Sequence, residues 1–410
     1  MLEINFDRLK ADVLAMGEIG KSEDQGIYRM AFSRGDMEGR AWFEQRIKEA
    51  GLTLYVDGAA NIHARLNWDA GKASVMTGSH LDTVPGGGHL DGALGVLAGL
   101  ECLRCLKEQG IQLARPVEAV SFTDEEGRFG EMIGSEAICG KLTPESIHDA
   151  DNQEGISLDS AMEAIGLDAR DVLQARRAPE SIQAFVELHI EQGPVLDNAG
   201  RRLGIVDGIA GLFKWQVRLI GQADHAGTTP MTLRRDAFQG VVEVAGAIGH
   251  LLEEYGSSRS VATIGRVHLF PGAVNVVPGR AEFTLEVRDT DTHVLKNLAA
   301  AFRRTISEIA QRRDLMFEFS VIGELSPAHC DQGLVATVHR VCEEMQVEPL
   351  QMHSGAAHDT LTLCSITRAG MIMVPSVDGR SHSAAEWTAW EDIKLGGDVL
   401  LNTLRVLAST

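Results

Sequence analysis

The chain has 410 residues, of which 44% are hydrophobic and 23% are charged, as in ordinary soluble globular proteins. This length predicts two or three domains with buried cores, which excludes disordered, collagen-like and small disulfide-stapled proteins. Lys and Arg number 38 against 58 Asp and Glu, and the net charge of −20 disfavours binding to nucleic acid or to anionic membranes. A small anionic substrate therefore needs a local cation, either a metal ion or a placed arginine.

The sequence lacks the features of membrane and exported proteins. No stretch approaches the roughly 20 apolar residues of a spanning helix. The acidic start, Met1–Asp7, does not resemble a signal peptide. The 6 cysteines do not indicate a disulfide framework, and Cys102 and Cys105 lie in an apolar helical pattern, which favours core packing. We therefore expect a cytoplasmic protein.

Short β-branched runs alternate with longer helical patterns in the first half of the chain, which predicts an α/β fold. The predicted strands are Ser74–Thr77, Val117–Thr123 and Ala184–Ile190, with a helix at Gly92–Gln109. Open α/β sheets place active sites at the carboxyl ends of their strands. Each predicted strand runs into a polar segment, and these segments are Gly78–Asp82, Asp124–Gly127 and Glu191–Pro194.

The segment from about Lys141 to Ser181 is acidic and helical in pattern, and we interpret it as an excursion on this first domain. From about Leu212, apolar and polar residues alternate, which predicts an antiparallel sheet with one exposed face. Helical patterns accompany it at Leu233–Leu252 and Val294–Arg312.

We therefore expect an α+β sandwich at residues 212–325, inserted in a mixed-sheet catalytic domain formed by residues 1–211 and 326–410. A strand near Met371–Val374 and a helix from Glu391 complete that larger domain.

Histidines and carboxylates gather at the predicted strand ends: His80, Asp82, His89, Asp91, Glu125, Glu126, His189 and Glu191, with His382 far downstream. Glycines 86–88 allow the backbone to turn sharply, so that ligands separated in sequence can converge. Imidazole and carboxylate suit Zn²⁺ or Mn²⁺, and a carboxylate shared by two ions is typical of two-metal hydrolytic sites. Glu125 and Glu126 point in different directions, so one can bind metal while the other acts as a general base.

Other catalytic motifs are missing from the sequence. It contains no HExxH metalloprotease motif and no GxSxG nucleophile elbow. The glycine loop lacks the Gly-Lys-Ser/Thr ending of a P-loop, and Asp91 would repel phosphate. These absences favour a metal-ligand loop over a phosphate-binding loop.

The motifs together resemble the amidase branch of the M20 metallopeptidase superfamily, from about residue 40 to the end of the chain. That branch contains N-carbamoyl-L-amino-acid hydrolases, allantoate amidohydrolases and some β-ureidopropionases. The matching segments are Gly78–Val84, Gly87–Gly92, Glu125–Phe129, Glu187–Gly193, Asp224–Met231, Asn275–Gly279, Ser354–Asp359 and Ser381–Ser383.

The resemblance implies two divalent ions per subunit, Zn²⁺ or Mn²⁺ with Co²⁺ or Ni²⁺ as further candidates. It implies that Asp91 bridges the ions and that Glu125 is the general base. Asp82 is placed to hydrogen-bond and orient His80. His89 is not at a matching ligand position. The metal ligands carried over from the family are His80, Asp91, Glu126, His189 and His382.

The resemblance also implies that the inserted domain pairs two subunits and closes over the site. His225 and Asn275 would then serve either the partner's active site or a closed conformer, with His225 stabilising the oxyanion. Arg288 can grip a carboxylate bidentately, although it could instead pair with Asp289. The implied substrate contacts are Gln192, His225, Asn275, Arg288 and Gly355.

We expect hydrolysis of an N-carbamoyl-L-amino acid to the amino acid, ammonia and CO₂. Allantoate amidohydrolase, β-ureidopropionase and a non-catalytic binding protein are the alternatives, and the apolar residues 208–213 favour an amino-acid side chain. Ala357 stands where relatives usually have glycine, so a positive φ there would strain the loop that meets the substrate carboxylate by about 1 kcal/mol.

Overall fold

A mixed sheet is the centre of the first of two units in the computed structural model, which describes residues 1–152 and 154–409. The first unit comprises Met1–Asp207 and His329–Thr410, and the second comprises Gly208–Ala328. The domain boundaries expected from the sequence lie a few residues inside those of the second unit.

The strands of the described residues, numbered in chain order, are β1 (Thr53–Val56), β2 (Ile62–Leu66), β3 (Ser74–His80), β4 (Val117–Phe122), β5 (Ile182–Ile190), β6 (Gly204–Ile209), β7 (Gly211–Ile220), β8 (Asp224–His225), β9 (Val261–Thr263), β10 (Val267–Phe270), β11 (Val276–Val277), β12 (Arg280–Asp289), β13 (Met316–Leu325), β14 (Ala328–His329), β15 (Leu350–Ser354) and β16 (Ala369–Val374).

The α-helices are α1 (Phe6–Glu18), α2 (Arg34–Glu49), α3 (Ala93–Glu108), α4 (Ile133–Cys139), α5 (Pro144–His148), α6 (Leu158–Glu163), α7 (Val195–Ala199), α8 (Ala237–Tyr255), α9 (Thr292–Arg312), α10 (Gln332–Glu344), α11 (Asp359–Leu363) and α12 (Trp390–Ala408). Among the described residues, no helix combines the length and the apolar character needed to cross a bilayer.

The sheet of the first unit has the strand order β1-β2-β4-β3-β5-β16-β6-β14, with β15 also paired to β6. Strands β4, β3, β5 and β16 are parallel, so their carboxyl ends meet at one edge. Strands β2 and β6 flank them in antiparallel orientation. The predicted mixed-sheet α/β fold is therefore confirmed.

Helix α3 packs against the parallel strands, and its residues from Ala93 to Leu106 are all buried. Cys102 and Cys105 belong to this buried surface as free thiols, as the apolar pattern predicted. The segment 141–181 contains the short helices α5 and α6 and two 3₁₀ segments, Ala169–Ala175 and Pro179–Ser181. The two helices and the first 3₁₀ segment share a small apolar core.

One boundary prediction was wrong in a way that matters for the site. The sequence suggested that the strand ended at Thr77, but β3 stays extended and pairs with β4 as far as His80, opposite Phe122. His80 is therefore the last residue of a buried strand and not part of a loop. Pairing with β4 holds the backbone at His80 more firmly than a loop would.

The second unit contains a five-stranded sheet of order β10-β12-β7-β13, with β9 paired to β12, and a separate ladder formed by β8 and β11. Buried and half-buried residues alternate along β12, which shows one buried and one more exposed sheet face. Helices α8 and α9 cover the buried face, and Asp236 and Asp291 cap their first turns.

Candidate metal centre

Three adjacent parallel strands deliver the predicted ligands to one edge of the sheet. His80 ends β3, Glu125 and Glu126 follow β4, and His189 is the penultimate residue of β5. Asp91 lies just before α3, and His382 lies in the segment that follows β16. The resulting cluster belongs entirely to the first unit.

Asp91 is the geometric centre of the cluster. Its Oδ1 lies 3.2 Å from His189 Nε2 and 3.8 Å from His80 Nε2. Its Oδ2 lies 3.1 Å from His382 Nε2, which is 3.7 Å from Glu126 Oε1. Two groups of donor atoms, each within 4.8 Å, therefore share Asp91: one with His80 and His189, the other with Glu126 and His382. A shared carboxylate between two groups is what a dinuclear centre requires.

Backbone carbonyls set the orientation of the two buried histidines. His80 Nδ1 lies 2.9 Å from the carbonyl oxygen of Asp82, and His189 Nδ1 lies 2.8 Å from that of Ile190. A carbonyl can only accept, so Nδ1 of each ring carries a proton, which leaves Nε2 as the nitrogen that can bind a metal ion. Both Nε2 atoms face Asp91, as metal ligation needs, and the backbone nitrogen of Gly92 lies 3.1 Å from His189 Nε2.

The local electrostatics favour added positive charge. Burial raises the pKa of Glu125 and of Glu126 well above the usual value, and neighbouring carboxylates raise both further. Burial lowers the pKa of His80 to about 4. Burial also opposes protonation of His189, but its hydrogen bond to Asp91 outweighs this and raises its pKa to about 9. Divalent cations would relieve the crowding of carboxylates, so the donor set fits metal ions.

Gly92 allows the loop that contains it to pass close to the ring of His80. It has a φ of 63°, and a Cβ at this position would lie 2.4 Å from His80 Nε2. Any other side chain would be strained and would occupy the space of the ligand. The glycine therefore allows Asp91 and His80 to approach each other.

The structure corrects how Asp82 supports the site. Its carboxylate Oδ1 lies 3.8 Å from His80 Nδ1, and the backbone carbonyl makes the orienting contact instead. The carboxylate accepts from the backbone N–H groups of Glu125 at 3.4 Å and Glu126 at 3.1 Å. Glu125 Oε2 lies 3.4 Å from His80 Nε2, beside the cluster.

Gln192 lies at the open side of the cluster. Its Nε2 donates to Asp91 Oδ2 at 2.8 Å and lies 3.2 Å from His382 Nε2. Its Oε1 is buried with no hydrogen-bond partner among the described residues. Gly355 lies in the turn after β15, and Ala357 does not have a positive φ. The strain that alanine would suffer in the left-handed region is therefore absent.

His225 and Asn275 are neighbours on the small ladder of the second unit. His225 pairs with Val276, and the carbonyl of Asn275 accepts from Ala226 N at 2.8 Å. His225 Nδ1 accepts from the N–H groups of Gly227 at 3.0 Å and Thr228 at 3.2 Å. The proton of the neutral ring is therefore on Nε2, and the exposed side chain can act as a hydrogen-bond donor.

Arg288 lies on β12 of the second unit, where its Nε is 2.8 Å from Glu286 Oε1. Residues two apart on a strand share a face, so this contact follows from the strand geometry. Asp289, the partner considered from the sequence, is buried and accepts from the hydroxyl groups of Ser257 and Ser260.

Sequence reasoning missed two buried carboxylates near the centre. Glu187 accepts from Ser79 Oγ at 2.7 Å and from Thr360 Oγ1 at 2.6 Å, tying β5 to β3 and α11. A glutamate inside the apolar run of β5 was the available signal. Glu386, four residues after His382, hydrogen-bonds the backbone of Asp91, and only its proximity to a ligand could have drawn attention to it.

The chain is similar to known proteins along nearly its whole length. Residues 76–406 match the model of peptidase family M20/M25/M40. An N-carbamoyl-L-amino acid amidohydrolase from Geobacillus stearothermophilus is 41% identical over 409 residues, 99% of each chain. Allantoate amidohydrolase from Escherichia coli K12 is 35% identical over 403 residues, 96% of each chain.

A solved structure shows the same fold over the whole chain. The crystal structure of an amidase of the hydantoinase/carbamoylase family from Burkholderia multivorans has a TM-score of 0.92 and 34% identity, covering 100% of this chain and 99% of that one. The resemblance inferred from the motifs is confirmed: the chain belongs to the peptidase family M20/M25/M40.

Proposed function

We propose that this protein is a metal-dependent amidohydrolase that cleaves the carbamoyl C–N bond of an N-carbamoyl-L-amino acid, giving the amino acid, ammonia and CO₂. The observation that carries the proposal is the sharing of Asp91 by two His/carboxylate groups, with Glu125 beside them. The similarity to N-carbamoyl-L-amino acid amidohydrolases along nearly the whole chain supports the substrate class.

The cofactor would be two divalent ions, Zn²⁺ or Mn²⁺, held by His80, Asp91, Glu126, His189 and His382. When bound, such ions act as Lewis acids and lower the pKa of bound water to a value near neutral pH. Three histidines and two carboxylates do not select one of these metals, because imidazole and carboxylate suit several divalent ions.

Glu125 would act as the general base. Its carboxylate takes a proton from the attacking water and returns it to the leaving nitrogen, so the residue ends the cycle as it began. Burial and the neighbouring carboxylates raise its pKa in the metal-free protein, and bound cations would counter this rise and favour the ionised form that a base requires. Asp82 supports the role by holding the backbone N–H groups of both Glu125 and Glu126.

The remaining residues would bind and orient the substrate. Arg288 would bind its carboxylate, with Asn275 and the turn at Gly355 as further contacts. Gln192 would offer its amide from the edge of the cluster. His225 would donate its Nε2–H to the oxygen that gains negative charge during attack on the carbonyl carbon. His225 can play this last role because two backbone N–H groups donate to its Nδ1, which leaves the ring proton on Nε2.

We also propose that the second unit is the dimerisation and lid domain that the resemblance implies. His225 and Asn275 would then act either within a closed conformer or across a homodimer. Substrates would be small ureido anions. The metal ions and an arginine at the site would attract them although the protein as a whole is acidic. We propose a cytoplasmic location, with no nucleic-acid or membrane partner.

Allantoate is the second candidate substrate, because allantoate amidohydrolase from Escherichia coli matches nearly the whole chain. β-Ureidopropionase activity is the third, since it needs the same catalytic groups. The apolar segment 208–213 favours a substrate with an amino-acid side chain over one with a second ureido group.

The test is ammonia release from N-carbamoyl-L-methionine and from allantoate, with metal analysis of the same preparation. We expect turnover of both to depend on added metal, with a preference for the N-carbamoyl amino acid. Faster turnover of allantoate would replace the first candidate by the second. A metal-loaded protein that releases ammonia from neither substrate, nor from N-carbamoyl-β-alanine, would be a binding protein, and the proposal would fail.

A further inference from the structure

One buried carboxylate, that of Glu386, joins two segments that carry metal ligands. Its Oε1 accepts from the backbone N–H groups of Leu90 at 2.9 Å and Asp91 at 3.0 Å. These contacts connect positions 295 and 296 residues apart in the chain. Glu386 therefore hydrogen-bonds the backbone of the shared ligand from a segment that is remote in sequence.

The other oxygen of Glu386 faces its own segment. Ser381 Oγ lies 3.0 Å from Glu386 Oε2 and 3.2 Å from Asp91 Oδ2, so its single proton can be given to either carboxylate. Ser381 directly precedes His382, the ligand on the Asp91 Oδ2 side. The two oxygens of Glu386 thus link the backbone of Asp91 to the segment that supplies His382.

The glycine loop is shaped to receive this carboxylate. A Cβ at Gly88 would lie 2.1 Å from Glu386 Oε1 and 2.2 Å from its Cδ, both well inside van der Waals contact. Only glycine leaves room for the carboxylate to reach the N–H groups of Leu90 and Asp91. Glu386 itself is 2% exposed. A buried carboxylate is expensive unless hydrogen bonds compensate it, so its place here is specific.

We propose that Glu386 is a positioning residue for the metal centre, holding the backbone of Asp91 and the segment of His382 in the arrangement that receives both ions. The inference rests on the two-metal centre put forward above. In this proposal Glu386 makes no contact with substrate and acts only through Asp91 and His382. The effect is geometric: what matters is an oxygen that accepts from the two N–H groups of the loop.

Two substitutions separate geometry from charge. Glu386→Gln keeps the length and an accepting oxygen but loses the charge. Glu386→Asp keeps the charge but withdraws the oxygen by one methylene. If Glu386 acts by position, metal affinity stays near that of the wild type in Glu386→Gln and falls about 10- to 100-fold in Glu386→Asp, the usual loss for a residue that orients a ligand. Both ions should be affected, since Asp91 is shared.

Asp398 provides the matched control. It is a mostly buried carboxylate that accepts from the backbone N–H of Ile4 at 2.9 Å, across 394 residues of sequence. It makes the same kind of long-range contact to a segment without metal ligands. Asp398→Ala should therefore lower the melting temperature while leaving metal affinity unchanged.

The experiment is a titration of chelator-stripped protein with Mn²⁺ or Zn²⁺ against a competing chelator, with the melting temperature of each stripped variant recorded. Weak binding by Glu386→Asp with normal binding by Glu386→Gln and Asp398→Ala supports the role. Normal binding by Glu386→Asp, weak binding by Glu386→Gln alone, or equal losses in Asp398→Ala overturns it. A wild type that binds no metal overturns the centre itself, a distinct failure. Should Glu386→Asp not fold, Glu386→Gln and Ser381→Ala carry the test, the latter with a smaller loss expected.

Discussion

The two units hold most of their candidate site residues in different ways, with exposed His382 in the first unit and half-buried Arg288 in the second as exceptions. In the first unit, His80, Asp91 and His189 are 1–3% exposed, and each hydrogen-bonds or closely approaches other protein groups. In the second unit, His225 and Asn275 are exposed, and their backbone or inner ring atoms carry the contacts. Burial forces polar groups to be paired in advance, whereas an exposed group can keep its working atom unpaired until a ligand arrives.

The contrast gives a rule for the two classes of substitution. Changes in the buried cluster should act on metal affinity, on proton transfer or on stability, because those groups are already arranged. Changes in the second unit should act on turnover or on substrate affinity while metal content stays the same. Substitutions in each unit test the expectation for that unit.

The largest effect is expected for Glu125→Gln. An amide of the same shape preserves packing but cannot take a proton from water, so turnover should fall by about 10²–10⁴. Metal content and melting temperature should stay close to those of the wild type, and Glu131→Gln, an exposed change in the same segment, serves as the control. Full activity in Glu125→Gln would contradict the assignment of the base.

His225→Ala should follow in size. Removing one donor to an oxyanion typically lowers kcat by about 10²–10³, and the loss should appear in kcat with little change in metal content. His250→Ala is the matched control, since His250 is an exposed histidine of the same unit on α8. A parallel loss of metal in His225→Ala would break the distinction between the units.

Arg288→Lys should act mainly on substrate affinity. Lysine keeps the charge but loses the planar fork that grips a carboxylate, so KM should rise about tenfold or more while kcat changes little. Arg218→Lys, on the neighbouring strand β7 and paired with Glu282, should leave KM unchanged. An unchanged KM in Arg288→Lys would remove this residue from the substrate site.

The smallest effect is expected for His63, a buried histidine of the first unit that lies away from the metal cluster. His63 lies 3.3 Å from Asp57 and 3.2 Å from Glu118, and although burial opposes its protonation, these carboxylates raise its pKa above 6.5. Its contribution to stability is therefore present below the unfolded pKa and is lost as pH rises through the folded pKa.

Urea unfolding at about pH 6 and about pH 9 checks this sign. Between these values the free energy of unfolding of the wild type should fall relative to that of His63→Gln. Parallel changes in the two proteins would show that His63 has the same pKa in the folded and unfolded chain.

Much of the fold could be predicted because patterns of burial are local. The alternation along β12 and the apolar run of α3 identify their elements directly. The end of β3 could not be placed, because the polar residues Ser79 and His80 read as a loop. They remain in the strand because β4 pairs with their backbone and because their side chains make contacts within the site.

The metal ligands were predictable through motifs, but their supports were not. The carbonyl of Asp82 orients His80, and no side-chain pattern reveals a backbone contact. Glu386 reaches Asp91 across 295 residues, a pairing that only the folded chain creates. Contacts of this kind depend on how loops meet, which residue type and spacing alone do not specify.

The most direct test of the central claim is the number of divalent ions that Asp91 holds. Isothermal titration of chelator-stripped protein with Zn²⁺ or Mn²⁺ should give two ions per chain for the wild type. Asp91→Asn should lose high-affinity binding of both, since one carboxylate serves both groups of ligands. A wild type that binds no metal, or an Asp91→Asn variant that binds two ions with unchanged affinity, would contradict the account.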